Sequence, residues 1–146
     1  MYYFNNYIYC HPNTKYNMSK KIKFELEFPV HASSNFLHHY LSSPDGLSEW
    51  FADNVNSRGE VYTFFWDGSE EQATQKLFKK EEKVQYRWFE DQDEKEDYYF
   101  EFRIIVDALT NDVSLIVADF AEEEDLEEAK MFWENQIDNL KNKIGA

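Results

Sequence analysis

Near the carboxyl end of the chain, six apolar residues recur at spacings of three and four: Leu126, Ala129, Trp133, Ile137, Leu140 and Ile144. This spacing places them on one face of an α-helix about five turns long. Asp119 and Glu122 resemble a capping pair before the stripe, Lys141 and Lys143 lie near its end, and Gly145 is a typical helix terminator. Because one helix cannot bury its own apolar stripe, the rest of the chain has to supply a surface that covers it.

The middle of the chain supplies that surface as a series of strand-like runs. A first strand is predicted at residues 20–28, where apolar residues alternate with lysine and glutamate, and Pro29 is expected to end it. Five further strands are predicted at Val61–Trp66 and at residues 72–79, 84–89, 98–107 and 113–120. Because parallel strands need long crossover connections, the short turns between these runs predict an antiparallel meander.

Two short helices are predicted between the first strand and the meander. Ser33 offers an N-cap for the first helix, and the sequence SPDG at 43–46 ends it. The second helix is expected to carry Trp50 and Phe51 on one face, before a polar loop at 53–59. The predicted order is β-α-α-β-β-β-β-β-α. This is an α+β helix-grip fold, in which a curved antiparallel sheet wraps around the long C-terminal helix.

Residues 1–17 differ from the rest of the chain. They hold five of the ten tyrosines and no acidic residue, and Lys15 is their one formally charged side chain. They are interpreted as an extension outside the domain, with Met18 as an alternative start. Residues 18–146 are interpreted as one domain. Cys10, the single cysteine, lies in this extension, so no disulfide is expected within the chain.

The charge balance restricts the partners. The chain carries 29 acidic and 15 basic residues, a formal net charge of −14. Such a surface argues against nucleic-acid binding and against docking on anionic lipid, because both need excess positive charge. No stretch approaches the roughly 20 apolar residues of a membrane span. We therefore expect a cytoplasmic protein with no nucleic-acid or membrane partner.

Four segments carry a family likeness: SSPDGLSEWFADNV at 42–55, YYFEFRI at 98–104, DFAEEEDLEEAK at 119–130 and WENQIDNLKNKIGA at 133–146. They resemble the START-like (helix-grip, SRPBCC) superfamily, and more closely its Bacteroidetes-type START-like domain proteins. The superfamily also includes birch-pollen-allergen-like proteins and chaperone-ATPase-activator homologues. The resemblance covers residues 18–146 and implies the helix-grip fold. Because the family has no defining catalytic motif, it implies no particular activity.

A helix-grip fold usually encloses an apolar cavity between its sheet and its long helix. The residues predicted to line this cavity are Phe64, Tyr86, Trp88, Phe100 and Phe102 on the sheet, Trp133, Ile137 and Leu140 on the helix, and Trp50 and Phe51 near the entrance. The alternative is that these large side chains fill the space as a solid core. Which face of Val61–Trp66 points inward stays open, because both faces are apolar.

Charged residues on the aromatic strands are interpreted as structural. Arg87, Glu101 and Arg103 each alternate with apolar residues that are expected to be buried. Side chains on the opposite face of a strand point to solvent, where they form ion pairs. We therefore expect outward ion pairs and no buried acid/base pair.

Metal and catalytic motifs are not found in the sequence. The adjacent His38 and His39 point about 100° apart on a helix, so together with His31 they do not gather as zinc ligands. The acidic run at 91–97 departs from a calcium loop, because Lys95 stands where a ligand is needed. There is no nucleophile elbow and no glycine-rich phosphate loop. We expect no catalytic residue, no bound metal and no cofactor.

Three functional hypotheses follow. The leading one is a small-molecule binding protein that holds an apolar, aromatic or lipid-like ligand between sheet and helix. The alternative is a protein-interaction or chaperone-cofactor-like module that uses its acidic surface, and the third is an enzyme that acts on an apolar substrate in the same cavity. A homodimer is also expected, because the second apolar face of Val61–Trp66 could cover a second copy.

Overall fold

The computed structural model describes residues 20–146, so the extension predicted at 1–17 lies outside the described residues. Seven strands form one curved, open antiparallel sheet in the order β1-β7-β6-β5-β4-β3-β2. The strands are β1 (Ile22–Val30), β2 (Asn54–Arg58), β3 (Val61–Trp66), β4 (Ser69–Lys79), β5 (Lys83–Trp88), β6 (Phe100–Val106) and β7 (Val113–Ala121). The helices are α1 (Ser34–Ser42), α2 (Pro44–Ser48) and α3 (Leu126–Ile144). The predicted α+β helix-grip fold is confirmed.

The core lies between the inner face of the sheet and α3. The apolar stripe of α3 is buried from Ala129 to Leu140, as its spacing predicts. On β3, Tyr62, Phe64 and Trp66 are buried, whereas the alternate residues are half-buried on the other face. This pattern decides which face of β3 points inward. None of the helices in residues 20–146 is long and apolar enough to cross a lipid bilayer.

The prediction of a polar loop at 53–59 is wrong, because residues 54–58 of this segment form the edge strand β2. It pairs with β3 from Arg58 opposite Val61 to Asn54 opposite Phe65. The residue types of β2 do not alternate between apolar and polar, because Val55 is the only one of its five side chains that is buried. The sequence therefore did not indicate a strand here. Gly59 has a φ of 61°, which suits the tight turn between the two strands.

Two predicted boundaries also need correction. Pro29 does not end β1, which continues to Val30. Proline has no backbone N–H to donate to a neighbouring strand. It is tolerated in β1 because this strand lies at the edge of the sheet and has a neighbour on one side only. Asp119 is not part of a helix cap, since it lies within β7 and α3 begins at Leu126 after a short 3₁₀ turn. The predicted end of α3 is confirmed, because Gly145 adopts the left-handed conformation.

The second short helix begins earlier than predicted. Ser43 caps α2 by accepting a hydrogen bond from the Gly46 N–H at 2.9 Å, so the predicted helix break is itself the start of the next helix. The glycine is required here, because a Cβ at this position would collide with the backbone of His39 on α1. Trp50 and Phe51 therefore lie in the turn after α2.

Hydroxyl groups from the sheet fix the end of α1. Tyr62 Oη donates to the Ser42 carbonyl at 2.7 Å, and Tyr86 Oη donates to the Leu41 carbonyl at 2.8 Å. Gln75 Nε2 also donates to the Ser42 carbonyl, at 3.1 Å. The last carbonyls of a helix have no partner within the helix, so these bonds satisfy them inside the protein. They hold the α1–α2 corner over the inner face of the sheet.

Candidate ligand-binding site

The ten residues predicted to line a cavity are all buried and lie in the core between the sheet and α3. Phe51 is at the centre of this group. Its ring stacks on Trp133 of α3, with centroids 5.8 Å apart, and on Phe100 of β6 at 5.9 Å. It also meets Phe64 edge to face at 5.4 Å. Phe51 therefore occupies space between the sheet and the long helix.

Hydrogen bonds hold the segment that carries Phe51. The Phe51 carbonyl accepts one bond from Trp66 Nε1 at 3.0 Å and one from Gln136 Nε2 at 3.1 Å. The neighbouring Trp50 donates from Nε1 to the Tyr40 carbonyl at 2.8 Å. The turn after α2 is thus tied to β3, α3 and α1 at once.

A pocket of about 370 Å³ opens at the rim of this core. We call it the mouth pocket. It is lined by Ser48, Glu49, Trp50, Phe51, Ala52, Asp53, Trp66, Gln136 and Asn139. Two of the ten predicted residues, Trp50 and Phe51, take part in it, and the other eight lie deeper in the core.

The polar members of the mouth pocket were missed from the sequence. Gln136 carried a usable signal, because it falls on the buried face of α3 between Trp133 and Leu140 and is itself buried. A polar residue at such a position has to find a partner inside the protein. Asp53 carried no signal, because it was assigned to an ordinary polar loop.

Two carboxylates give the mouth pocket a negative rim. Glu49 lies 3.6 Å from Lys143 Nζ of α3, and both side chains are about half exposed. Asp53 is exposed at the start of β2, where its backbone N–H donates to the Phe65 carbonyl at 3.0 Å. The side chains that approach a ligand here are therefore two acids and several amide or aromatic groups.

Asp119 forms a buried polar anchor deeper in the molecule. Its Oδ2 accepts a hydrogen bond from Trp133 Nε1 at 2.8 Å, and its Oδ1 accepts one from the Phe120 N–H at 2.7 Å. Burial raises the pKa of Asp119 to about 7, although both hydrogen bonds favour the ionised form. Asp119 thereby links β7 to the helix that closes the core.

The ion pairs predicted on the aromatic strands are present, but Glu101 is buried where an exposed side chain was predicted. Arg103 contacts Glu101 at 2.8 Å and Glu25 of β1 at 3.4 Å. Arg87 contacts Asp97 at 2.7 Å. Glu101 is buried on this face, where its carboxylate accepts hydrogen bonds from Arg103 at 2.8 Å and from Gln85 Nε2 at 2.6 Å.

The two adjacent histidines of α1, which were predicted not to gather as zinc ligands, have different surroundings. His38 is buried against the ring of Phe78, with centroids 5.0 Å apart, and burial lowers its pKa. His39 is exposed, and its Nδ1 lies 3.3 Å from Ser43 Oγ.

A separate acidic group precedes α3 and consists of Glu122, Glu124 and Asp125. Negative charge is stabilising at this position, because the N-terminal end of a helix dipole is positive.

The sequence and the fold were compared with known proteins. The START-like superfamily domain matches residues 18–146. BfR322 from Bacteroides fragilis, solved in solution by NMR, is 33% identical over 84% of this chain and 90% of that chain, with a TM-score of 0.62. The Aha1 dimer from Colwellia psychrerythraea is 14% identical over 85% of this chain and 98% of that chain, with a TM-score of 0.70. No curated protein matches the sequence significantly.

Proposed function

The chain belongs to the START-like superfamily, whose domains commonly bind ligands or act as cofactor modules, and on this premise we propose that it is a non-enzymatic small-molecule binding protein. The mouth pocket is the observation that carries the proposal. Its volume of about 370 Å³ lies within the range of small-ligand sites, and aromatic and polar groups converge on it.

In this proposal the ligand lies against Trp50 at the rim and does not enter the centre of the core. Phe51 itself fills the central position by stacking between Trp133 and Phe100. The remaining predicted residues form the rigid wall behind the pocket: Phe64, Tyr86, Trp88, Phe100, Phe102, Trp133, Ile137 and Leu140. A packed wall of this kind keeps the pocket in one shape, which lowers the entropic cost of binding.

Native mass spectrometry of the full chain, purified from its own host without denaturation, tests the proposal. We expect the wild-type protein to carry a bound small molecule. Asn139→Trp should lose it, because Asn139 is an exposed residue of α3 at the edge of the pocket and a tryptophan there would fill it. Glu134→Trp is the matched control, since Glu134 is an exposed residue of α3 outside the pocket lining.

A thermal-shift screen of aromatic, lipid-like and amine metabolites accompanies this measurement. A ligand at 100 times its dissociation constant stabilises the folded state by about 2.7 kcal/mol, which is easily detected. Retention of the same mass by Asn139→Trp would place the ligand elsewhere. If no mass is retained and no compound raises the melting temperature, the binding proposal fails.

A second candidate is self-association, and the hairpin between β6 and β7 favours it. Leu109 at the tip is 94% exposed, and Ile105 and Val106 on β6 are about half exposed. Leu109 is the most exposed of the three, and an apolar side chain presented to solvent at a hairpin tip favours a protein contact. The similar fold of Aha1 from Colwellia psychrerythraea was solved as a dimer.

Sedimentation velocity of the full chain over a range of concentrations tests self-association. We expect a dimer that Leu109→Lys converts to a monomer, whereas Leu109→Met keeps it. A monomer at every concentration would exclude this candidate without affecting the ligand-binding proposal.

A further inference from the structure

We propose that the contact between α1 and the end of the hairpin of β4 and β5 is a pH-sensitive switch whose trigger is His38. The hairpin end is defined as residues 77–83. While the His38 ring is neutral the two elements are in contact, and protonation of the ring separates them. The inference is independent of the proposed ligand site, because none of the residues involved lines the mouth pocket.

His38 is a buried polar side chain. The residue is 6% exposed, and within residues 20–146 neither Nδ1 nor Nε2 has a hydrogen-bond partner. Its ring packs edge to face on Phe78 of the hairpin end, with centroids 5.0 Å apart. A neutral imidazole leaves one N–H donor unpaired here, whereas an imidazolium leaves two donors and a positive charge unpaired. Burial accordingly lowers the pKa of His38.

Two charged residues in the turn of this hairpin act on the ring in opposite senses. Glu81 favours protonation of His38 and Lys80 opposes it, and the effect of burial is larger than either. The Glu81 carboxylate also binds α1 directly, because it accepts a hydrogen bond from Ser34 Oγ at 3.1 Å. The neutral contact therefore includes one polar bond and one pair of rings.

The other ionisable groups on the elements around α1 are placed elsewhere. Tyr62 and Tyr86 donate to carbonyls in the last turn of α1, and both Asp45 of α2 and His39 of α1 are exposed. The charged residues of β5 and β6 lie on the outer face of the sheet: Lys83, Arg87, Glu101 and Arg103. Among the described residues, the carboxylate that acts on the ring is thus the one in the hairpin turn.

The hairpin end is anchored less firmly than α1. Leu37 and Leu41 of α1 are fully buried, and three side chains of the sheet bind the last turn of the helix. The hairpin reaches α1 beyond a register shift in β4, and Phe78 near its end is 51% exposed. Protonation should therefore displace the hairpin end, which exposes the Phe78 ring, and leave α1 on the sheet.

The direction of the pH dependence follows from the burial of the ring. The closed contact binds a proton more weakly than an exposed histidine does, whose pKa is 6.5. The contact is therefore fully stable above pH 6.5 and loses stability as the pH falls below it. At pH 5 the equilibrium constant for separation should be up to about 30-fold larger than at pH 7.5, which is the limit that one such histidine sets.

NMR spectroscopy of the full chain between pH 7.5 and 5 tests the inference. A titration of the His38 ring nitrogens records proton uptake, and relaxation dispersion at the signals of Phe78 and Glu81 records the separated population. We expect that population to rise as His38 gains its proton. His38→Phe keeps a ring that cannot titrate and should abolish the rise. His39→Phe changes the adjacent exposed histidine and should leave the rise unchanged.

Two variants of the hairpin turn should shift the switch in opposite directions. Lys80→Gln should raise the proton affinity of His38 about twofold, because it removes a repelling charge, and Glu81→Gln should lower it about twofold. Lys95→Gln removes a charge from the exposed loop at the other end of β5. This control should leave the proton affinity unchanged at physiological salt.

Three results would each overturn the inference. If His38 stays neutral down to pH 5, the contact has no trigger in this range. If His38 gains its proton and the separated population does not rise, the ring titrates in place. If the rise persists in His38→Phe, it belongs to another group. The first two results come from the wild-type chain, so they decide the question even if His38→Phe does not fold.

Discussion

Phe51 and Asp53 are two positions apart in the chain, yet they belong to different regions of the molecule. The Phe51 ring is fully buried and stacks between α3 and the sheet, whereas Asp53 is exposed at the rim of the mouth pocket. The interior is built from aromatic rings in contact with one another. The pocket beside it presents carboxylates and amides.

This difference separates stability from binding. Residues of the interior have many apolar contacts, so each should contribute strongly to the free energy of unfolding. Rim residues have few, so they should contribute to ligand affinity and little to stability. The turn after α2 connects the two regions, because its first residues enter the core and its last residues begin β2.

Truncation of the central ring should have the largest effect. Phe51→Ala should lower the free energy of unfolding by about 3–5 kcal/mol, because it removes stacking partners from Trp133 and Phe100 and leaves a cavity. Urea denaturation measures this change. Met131→Ala is the control on the exposed side of α3 and should change stability by less than about 0.5 kcal/mol. A loss below about 1 kcal/mol for Phe51→Ala would mean that the interior is loosely packed.

Asp119 should make the stability of the interior depend on pH. Its pKa is about 7 in the folded protein and near 3.8 in the unfolded chain. A raised folded-state pKa gives stability that is complete below pH 3.8 and is lost as pH rises towards 7. Wild type should therefore lose up to about 1.4 kcal/mol per pH unit relative to Asp119→Asn between these values.

The measurement is urea denaturation of both proteins at pH 5, 6, 7 and 8. His38, whose pKa burial lowers, and Glu71, whose pKa burial raises, titrate equally in both proteins and cancel in the difference. Parallel stability curves for the two proteins would show that Asp119 is ionised at every pH tested.

The tyrosine hydroxyls that cap α1 should have a smaller and graded effect. Tyr86→Phe should cost about 1–3 kcal/mol, because the Leu41 carbonyl loses the Tyr86 hydroxyl inside the protein. Tyr62→Phe should cost less, since Gln75 still donates to the Ser42 carbonyl. Thermal denaturation ranks the two variants. Equal losses would contradict the compensation by Gln75.

The interior could be predicted from the sequence to a large extent. The helical stripe of α3 and the alternation on β5 and β6 depend on burial, and burial leaves a periodic signal in the residue types. Trp133 and Tyr86 were identified as interior residues in this way. What periodicity could not show is that Phe51 would enter from a turn, because a single residue has no period.

The pocket could be predicted far less well. Strand β2 is polar at four of its five positions because it lies at the edge of the sheet, so its sequence resembles that of a loop. Without that strand, Asp53 could not be placed beside α3. Tertiary contacts decide such positions, as they do for the bond between Gln136 and Phe51.

Rim substitutions should have the smallest effect on stability. Asp53→Asn and Lys143→Gln should each change the free energy of unfolding by less than about 0.5 kcal/mol, because both side chains are exposed and the exposed pair of Lys143 with Glu49 is weak. Thermal denaturation without ligand measures this. If either variant destabilised the fold as Phe51→Ala does, rim and interior would be one cooperative unit. A binding defect in that variant would then reflect partial unfolding, whereas an unchanged melting temperature assigns the defect to the pocket itself.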